Sequence, residues 1–565
     1  MRVYEAIAQA VAEEDVKAVF AVLGDANMKW LSTLEQRGGI PVYYARHEGS
    51  AIVMADGYAR STGQVGLCSV TSGPGLTLTA TGLVAASRNR SPVLVIAGDS
   101  PRSNKHYQQS IDQARFARAS ETWPIDLRSA PTLTEDLREA FYLTRTAGPV
   151  VFNAPFDVQN EPVGEDWRYE PSSSSIGEPQ TQTPDSRAIA EAADLLRESA
   201  RPIILAGRGA VHAVDELRRL ADATGALLST TLLAKGLFDD DPRNLGVAGG
   251  LSNFEAKARF AEADCILAAG ASLNQFTTDK GSLFPNARVI HITLEEDALI
   301  GGRRQAWGRP GGTARADVLV RSDSREAAAA ILKEHGDRSV PPWAEVEGPE
   351  PVPSQPTEDG RMHPAAAAVA IREAADPRSR FVIGVGHAWW FPINYLRGWP
   401  PDRYTFVTDF AAIGQTLPAG IGVAVGNPDD KTVVIEGDGS AMMTIQEIDT
   451  AVRYGLDLTI VVLNDDGLGA EAHKLKALGF DDNSARIPSP DLAAVARAFG
   501  AFGETVTEPE QLEDAIVEAQ ARGGVCLVDA RISQTVMSPP YEETWAGNVE
   551  AGRGLGKHLG AASSP

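Results

Sequence analysis

Short, unbroken apolar runs that end in a glycine-bearing or acidic turn recur along this chain. Examples are VGLCSVTS (65–72), PVLVIAGD (92–99), PIILAGRGA (202–210), CILAAGASL (265–273), FVIGVG (381–386), TVVIEGDG (432–439), LTIVVLNDDG (458–467) and GVCLVDARI (524–532). A strand that faces water on one side alternates apolar with polar residues, whereas these runs are apolar at nearly every position and must be covered on both faces. Helical patterns fill the intervals, so the sequence predicts α/β architecture with parallel, doubly wound sheets. In such sheets ligands gather beyond the carboxyl ends of the strands, where these turns fall.

A chain of 565 residues exceeds a single core. Two polar, proline-bearing stretches, 169–187 and 340–361, read as linkers. They predict three Rossmann-like domains, 1–168, 188–336 and 362–540, followed by a tail, 541–565. With 52 Lys plus Arg against 75 Asp plus Glu, the net charge of −23 argues against nucleic acid as a partner. A phosphate ligand would need a local device such as a metal ion or backbone amides. No uncharged apolar run is long enough for a membrane span, and the N-terminal residues lack the apolar core of a signal peptide, so a cytoplasmic protein is expected. Cys68, Cys265 and Cys526 stand far apart, outside zinc or redox spacings, and are expected as small buried residues.

The turn Gly437-Asp438-Gly439 carries the sharpest chemical signal. Asp-Gly alone is usually only a tight turn. Here a strand leads into it and a helix is predicted to leave it, bringing a carboxylate and a helix N-terminus to one point. Asp465 follows 27 residues later at the end of the next apolar run, with Gly467 offering a bare carbonyl. Two strand-end carboxylates and a carbonyl suit Mg²⁺, a hard cation that shares its ligands with phosphates. A single crossover helix is expected between the two strands.

These motifs, in this order, resemble the thiamine diphosphate-dependent acetolactate synthase and pyruvate decarboxylase superfamily over nearly the whole chain. RHEGSAIVMADGYARSTG and TSGPGLTLTATGL carry the likeness near the start, RPIILAGRGA in the middle, and AAIGQTLPAGIGVAVG and IEGDGSAMMTIQEI in the third block. The resemblance implies pyrimidine-binding, central and diphosphate-binding domains in that order, with thiamine diphosphate and Mg²⁺ as cofactors. Glu48 then hydrogen-bonds the aminopyrimidine ring and promotes loss of the thiazolium C2 proton. Ile413 falls where the family supports the bend of the cofactor. The resemblance gives Mg²⁺ to Asp438, Asp465 and the Gly467 carbonyl, and places Gly437, Gly439, Ser440, Gly386 and His387 near the diphosphate. The sequence departs from the pattern at position 465, where asparagine is usual. A one-residue shift would make Asn464 the ligand, but Asp465 keeps Gly467 and Glu471 on family positions.

At the reacting end, Asp25 and Glu471 match acids of the pyruvate decarboxylase branch, and His106 lies near the place of its histidine pair. Gln109 matches a Gln-x-x-Asp segment of the acetolactate synthase branch instead. For each of these four a surface polar residue is an equal alternative. His473, two residues from Glu471, lies off the Glu471 face of a helix and is expected to be exposed. Trp389 and Trp390 line an apolar substrate pocket or pack the domain, and packing is expected for at least one. The implied activity is decarboxylation of a 2-oxo acid, with aldehyde release or carboligation to a second carbonyl compound. An acyloin lyase acting without decarboxylation and a non-catalytic nucleotide-binding protein are the alternatives. FAD is not expected, because LGVAGGLSNFEAK (245–257) stands where flavin-binding synthases carry a Gly-Met-His-Gly-like segment, although the central block leaves the possibility open. A homodimer or homotetramer follows from the resemblance, with each site between the first block of one chain and the third of another.

Overall fold

The computed structural model describes residues 1–177, 182–294, 316–349, 351–353 and 356–539. The proposed tail, 541–565, lies outside them. Eighteen strands among the described residues form three six-stranded sheets, and every strand pairing in them is parallel.

The first sheet contains β1 (Val19–Ala21), β2 (Val42–Tyr44), β3 (Gly66–Val70), β4 (Val93–Asp99), β5 (Trp123–Asp126) and β6 (Val150–Pro155), in the order 2-1-3-4-6-5. The second is built from β7 (Pro202–Ala206), β8 (Leu227–Thr230), β9 (Asn244–Val247), β10 (Cys265–Ala269), β11 (Arg288–Ile292) and β12 (Val318–Val320), in the order 12-11-10-7-8-9. Counted from its own first strand this is 3-2-1-4-5-6, the order of dinucleotide-binding sheets. The third comprises β13 (Ser379–Gly384), β14 (Tyr404–Val407), β15 (Lys431–Gly437), β16 (Leu458–Asn464), β17 (Phe502–Val506) and β18 (Val525–Arg531), in the order 14-13-15-16-18-17. Its topology repeats that of the first sheet strand for strand. The apolar runs at β3, β10 and β16 are buried at every position, as double-sided coverage requires, and Cys68, Cys265 and Cys526 are all buried and free.

First and third units share one apolar core, through the helices Glu48–Thr62 and Thr416–Gly426. The helices approach so closely that a Cβ on Gly422 would lie 1.9 Å from the Met54 carbonyl oxygen, and one on Gly57 2.2 Å from that of Ala419. Arg60 completes the seam, donating to Asp56 at 2.9 Å, Asp409 at 2.6 Å and the Phe406 carbonyl at 2.9 Å.

Both polar stretches begin clasped to the unit before them: the Tyr169 hydroxyl donates to Glu14 at 2.6 Å, and Trp343 Nε1 to the Pro202 carbonyl at 2.9 Å. An aromatic residue in a proline-bearing segment still gains from burial, and its polar atom finds a partner. The crossover between β15 and β16 is not one helix but two, Asp438–Thr444 and Glu447–Arg453.

Candidate functional site

The strand order of the third sheet reverses between β13 and β15, and a pocket opens there beyond the strand ends. Three loops line it: Gly384–Trp389 after β13, Gly437–Ser440 after β15, and the turn after β16 that includes Asp465, Gly467 and Glu471. Ile413 also reaches the pocket, from the loop before the Thr416–Gly426 helix.

Asp438 opens its helix and is almost fully buried. Its Oδ2 accepts from Ser489 Oγ at 2.8 Å, while its Oδ1 is buried without a hydrogen-bond partner. Burial first, and then the charge of Asp465, push its carboxyl up to about 7. Two buried carboxyl groups that resist joint ionisation, one with an orphaned oxygen, fit a divalent cation between them. Among the described residues no group of three or more His, Cys, Asp or Glu is arranged to hold a metal. A cation would therefore complete its shell with carbonyl, diphosphate or water oxygens, which is how Mg²⁺ is usually held.

The turn after β16 separates the neighbouring acids by role. Asn464 is committed to the fold: its Nδ2 donates to Asp529 Oδ1 at 2.8 Å and its Oδ1 accepts from Asp466 N at 3.0 Å. Asp466, at φ 57°, pairs with Arg361 at 2.7 Å and Arg531 at 2.8 Å. Asp465 alone of the three lines the pocket. Gly467 is packed so that a Cβ would meet the Ala485 carbonyl oxygen at 2.4 Å.

Beneath the pocket, Ser440 Oγ donates to Glu436 Oε2 at 2.6 Å and accepts from Gly414 N at 2.9 Å, so its hydroxyl is already engaged. Glu436, a pocket residue that the sequence reading passed over, keeps Oε1 buried without a partner, and burial raises its carboxyl to about 7. Its place at the inward end of an apolar strand, directly before the glycine turn, was the available signal.

His387 lines the pocket, but both its nitrogens are occupied: Nδ1 lies 2.8 Å from Asp465 Oδ2, and Nε2 lies 2.6 Å from the Val536 carbonyl oxygen. The expectation of an exposed His473 is overturned. Its ring is buried against His387, with Nε2 atoms 3.1 Å apart, and burial followed by the His387 charge lowers its pKa to about 3. The helix Gly469–Ala477 turns Glu471 outward, where it meets Lys474 at 2.7 Å, and turns His473 inward. Trp389 lines the pocket, whereas Trp390 is core, with Nε1 3.4 Å from the Ser252 carbonyl oxygen.

The candidates of the first unit collect at the carboxyl ends of its own sheet and do not line this pocket. Asp25 follows β1 and is exposed, and Glu48 follows β2 half-buried, directly after His47, whose Nδ1 caps the helix by accepting from Gly49 N at 2.9 Å. His106 is exposed, and Gln109 accepts from Ser72 Oγ at 2.8 Å, tying the loop after β4 to the loop after β3.

Comparison with known proteins matches three family models in order along the chain. The thiamine pyrophosphate enzyme N-terminal TPP binding domain matches residues 1–116, the central domain 189–309 and the C-terminal TPP binding domain 383–530. The chain belongs to the thiamine pyrophosphate enzymes. Within that family it is similar to the acetolactate synthase large subunit of Parasynechococcus marenigrum (strain WH8102), 29% identical over 93% of this chain and 87% of that protein. The acetolactate synthase of Arthrospira platensis is 29% identical over 94% of both chains, and the isozyme 3 large subunit of Escherichia coli (strain K12) 27% over 91% of both. This thiamine pyrophosphate enzyme is thus acetolactate synthase-like over nearly its full length. No helix among its described residues is long and apolar enough to cross a membrane.

Proposed function

We propose that this enzyme binds thiamine diphosphate and Mg²⁺, decarboxylates a 2-oxo acid and passes the acyl unit to a proton or to a second carbonyl compound, with carboligation the favoured outcome. The observation that carries the metal half of this reading is the Asp438–Asp465 carboxyl pair at neighbouring strand ends, with one oxygen of Asp438 orphaned in the pocket. Asp438, Asp465 and the Gly467 carbonyl would hold Mg²⁺, and Gly386, Gly437 and Gly439 leave room for the diphosphate. Thiamine diphosphate supplies, when bound, a carbanion nucleophile and an electron sink. The chain's own contributions are a carboxyl group at Glu48 to accept and return a pyrimidine proton, an apolar support at Ile413, and a pocket wall at Trp389 that excludes water.

Because Glu48, Asp25, His106 and Gln109 sit on a different sheet from the pocket, the reading includes a second copy of the chain whose first unit closes the site. Glu471, on the pocket rim beside Lys474, would face those residues as an acid or base for the outgoing product. Flavin is not part of the reading, and the purified protein is expected to be colourless. The decisive test is CO₂ release from a panel of 2-oxo acids with thiamine diphosphate and Mg²⁺, products identified by mass spectrometry and Glu48→Gln as control. Release abolished in the control supports the reading, and product mass separates aldehyde from carboligation product. Cofactor binding without CO₂ from any 2-oxo acid, together with cleavage of an acyloin, would replace it with a lyase.

A further inference from the structure

Three carboxyl groups crowd the wall of the pocket, those of Glu436, Asp438 and Asp465, and none has a lysine or arginine partner among the described residues. Acids just outside it are treated differently: Asp466 takes two arginines, and Asp529 pairs with Arg531 at 2.8 Å. Among the described residues the single basic side chain that touches the crowded set is His387, through Asp465 Oδ2. Neighbouring buried carboxylates repel, so a flexible Asp465 would swing away from Asp438 and dissolve the ligand pair. Something has to hold it.

We infer that His387 is a positioning residue for Asp465, with His473 and the Val536 carbonyl as its own supports. The inference rests on the reading that Asp465 is a cation ligand. His387 is fixed along both edges. The Val536 carbonyl can only accept, so His387 Nε2 carries a hydrogen toward it at 2.6 Å; a second ring hydrogen, on Nδ1, makes the contact with Asp465 Oδ2 an imidazolium–carboxylate pair, and the His473 ring closes the remaining side with centroids 4.4 Å apart. Val536 is itself held in place: Ser533 Oγ, fully buried, accepts from the backbone N of Thr535 at 3.1 Å and of Val536 at 3.3 Å.

Packing enforces the same orientation from the other side. A Cβ on Gly469 would sit 1.7 Å from Asp465 Oδ2 and 3.0 Å from the Cβ of His387. The carboxylate therefore occupies the space a side chain at 469 would fill, with Oδ2 committed to His387 and Oδ1 left for a ligand. A histidine that orients a carboxylate ligand in this way acts outside the coordination shell, where substitutions typically cost 10–100-fold in metal affinity.

Three substitutions at one position isolate the contact. In His387→Ala both ring contacts are lost; in His387→Asn a donor returns at the Nδ1 place, and in His387→Gln one returns at the Nε2 place. The readouts are Mn²⁺ binding by electron paramagnetic resonance in the presence of thiamine diphosphate, cofactor titration by the quenching of intrinsic tryptophan fluorescence, and melting temperature without ligands. The Ala and Gln variants are expected to bind Mn²⁺ about 10–100-fold more weakly, and the Asn variant within about threefold of wild type, at equal unliganded melting temperatures for Ala and Asn. An Asn variant no better than Ala, or an Ala variant that binds as wild type does, overturns the inference. Asp438→Asn separates the two levels: if it leaves Mn²⁺ affinity unchanged, the metal reading falls and the inference with it; if it abolishes binding while the His387 variants fail to separate, only the positioning role falls.

Discussion

Burial and the neighbouring charge of Asp465 raise the Asp438 carboxyl to about 7, and burial brings Glu436 to about the same value. Each keeps a proton in the folded protein that the unfolded chain releases near the ordinary carboxylate range. The stability tied to that proton is complete at acid pH and is lost as pH rises through about 7. Without ligands the protein should therefore melt at a falling temperature between about pH 4 and about pH 7, and Asp438→Asn should flatten the slope. Mg²⁺ with thiamine diphosphate should flatten it too, because the cation takes the place of the proton. Calorimetry across pH, with and without ligands, checks both. Gly469→Ala offers a second test at this scale. Gly469 is the first residue of its helix, where alanine is well tolerated, yet its Cβ would displace the Asp465 carboxylate. Cofactor affinity in the presence of Mg²⁺ is expected to fall at least about tenfold, measured by titration, while the unliganded fold is retained.

The helices Glu48–Thr62 and Thr416–Gly426 meet backbone to backbone, and that contact decides where Glu48 and Ile413 start from. Glu48 opens the first helix, and Ile413 precedes the second by three residues. A methyl group at Gly422 has no space beside the Met54 carbonyl, so Gly422→Ala should force the helices apart at a cost of about 1–3 kcal/mol. Gly164→Ala is the matched control, since nothing lies within 4 Å of its Cβ position and its φ is not positive. Differential scanning calorimetry should show a lowered transition for the first variant and none for the second. In the crossover after β15, the helix that opens at Asp438 stops at Thr444, and a second segment from Glu447 meets the first unit, where Glu447 accepts from Arg46 N at 3.2 Å.

At the scale of the whole molecule, the first and third sheets repeat one topology but bring different chemistry to their carboxyl ends. The third carries the carboxyl pair, and the first carries Glu48 and the other polar candidates. Should each site combine the first unit of one copy with the third unit of another, two inactive variants can rescue each other. Glu48→Gln and Asp438→Asn, mixed under conditions that allow subunit exchange, should recover about a quarter of wild-type activity, because half of the dimers are hybrids and each hybrid has one intact site. No recovery, with exchange verified by native mass spectrometry, would place both residues in one chain's site.

Sequence alone determined the strands and their parallel pairing, because residues apolar on both faces have no stable place except a sheet covered on both sides. It also determined that acidic turns lie at the carboxyl ends, since those turns follow directly from the strands. What sequence left open was decided by packing between distant segments. Asp465 rather than Asn464 faces the pocket because Asp529, on the neighbouring strand β18, takes the asparagine amide. His473 is buried because His387, 86 positions away, closes over that side of the helix. Trp390 is core because Ser252 of the second unit meets its indole nitrogen, while Trp389 lines the pocket. None of these choices is written in a local pattern, because each depends on which part of the chain arrives from elsewhere to take a hydrogen bond or fill a space.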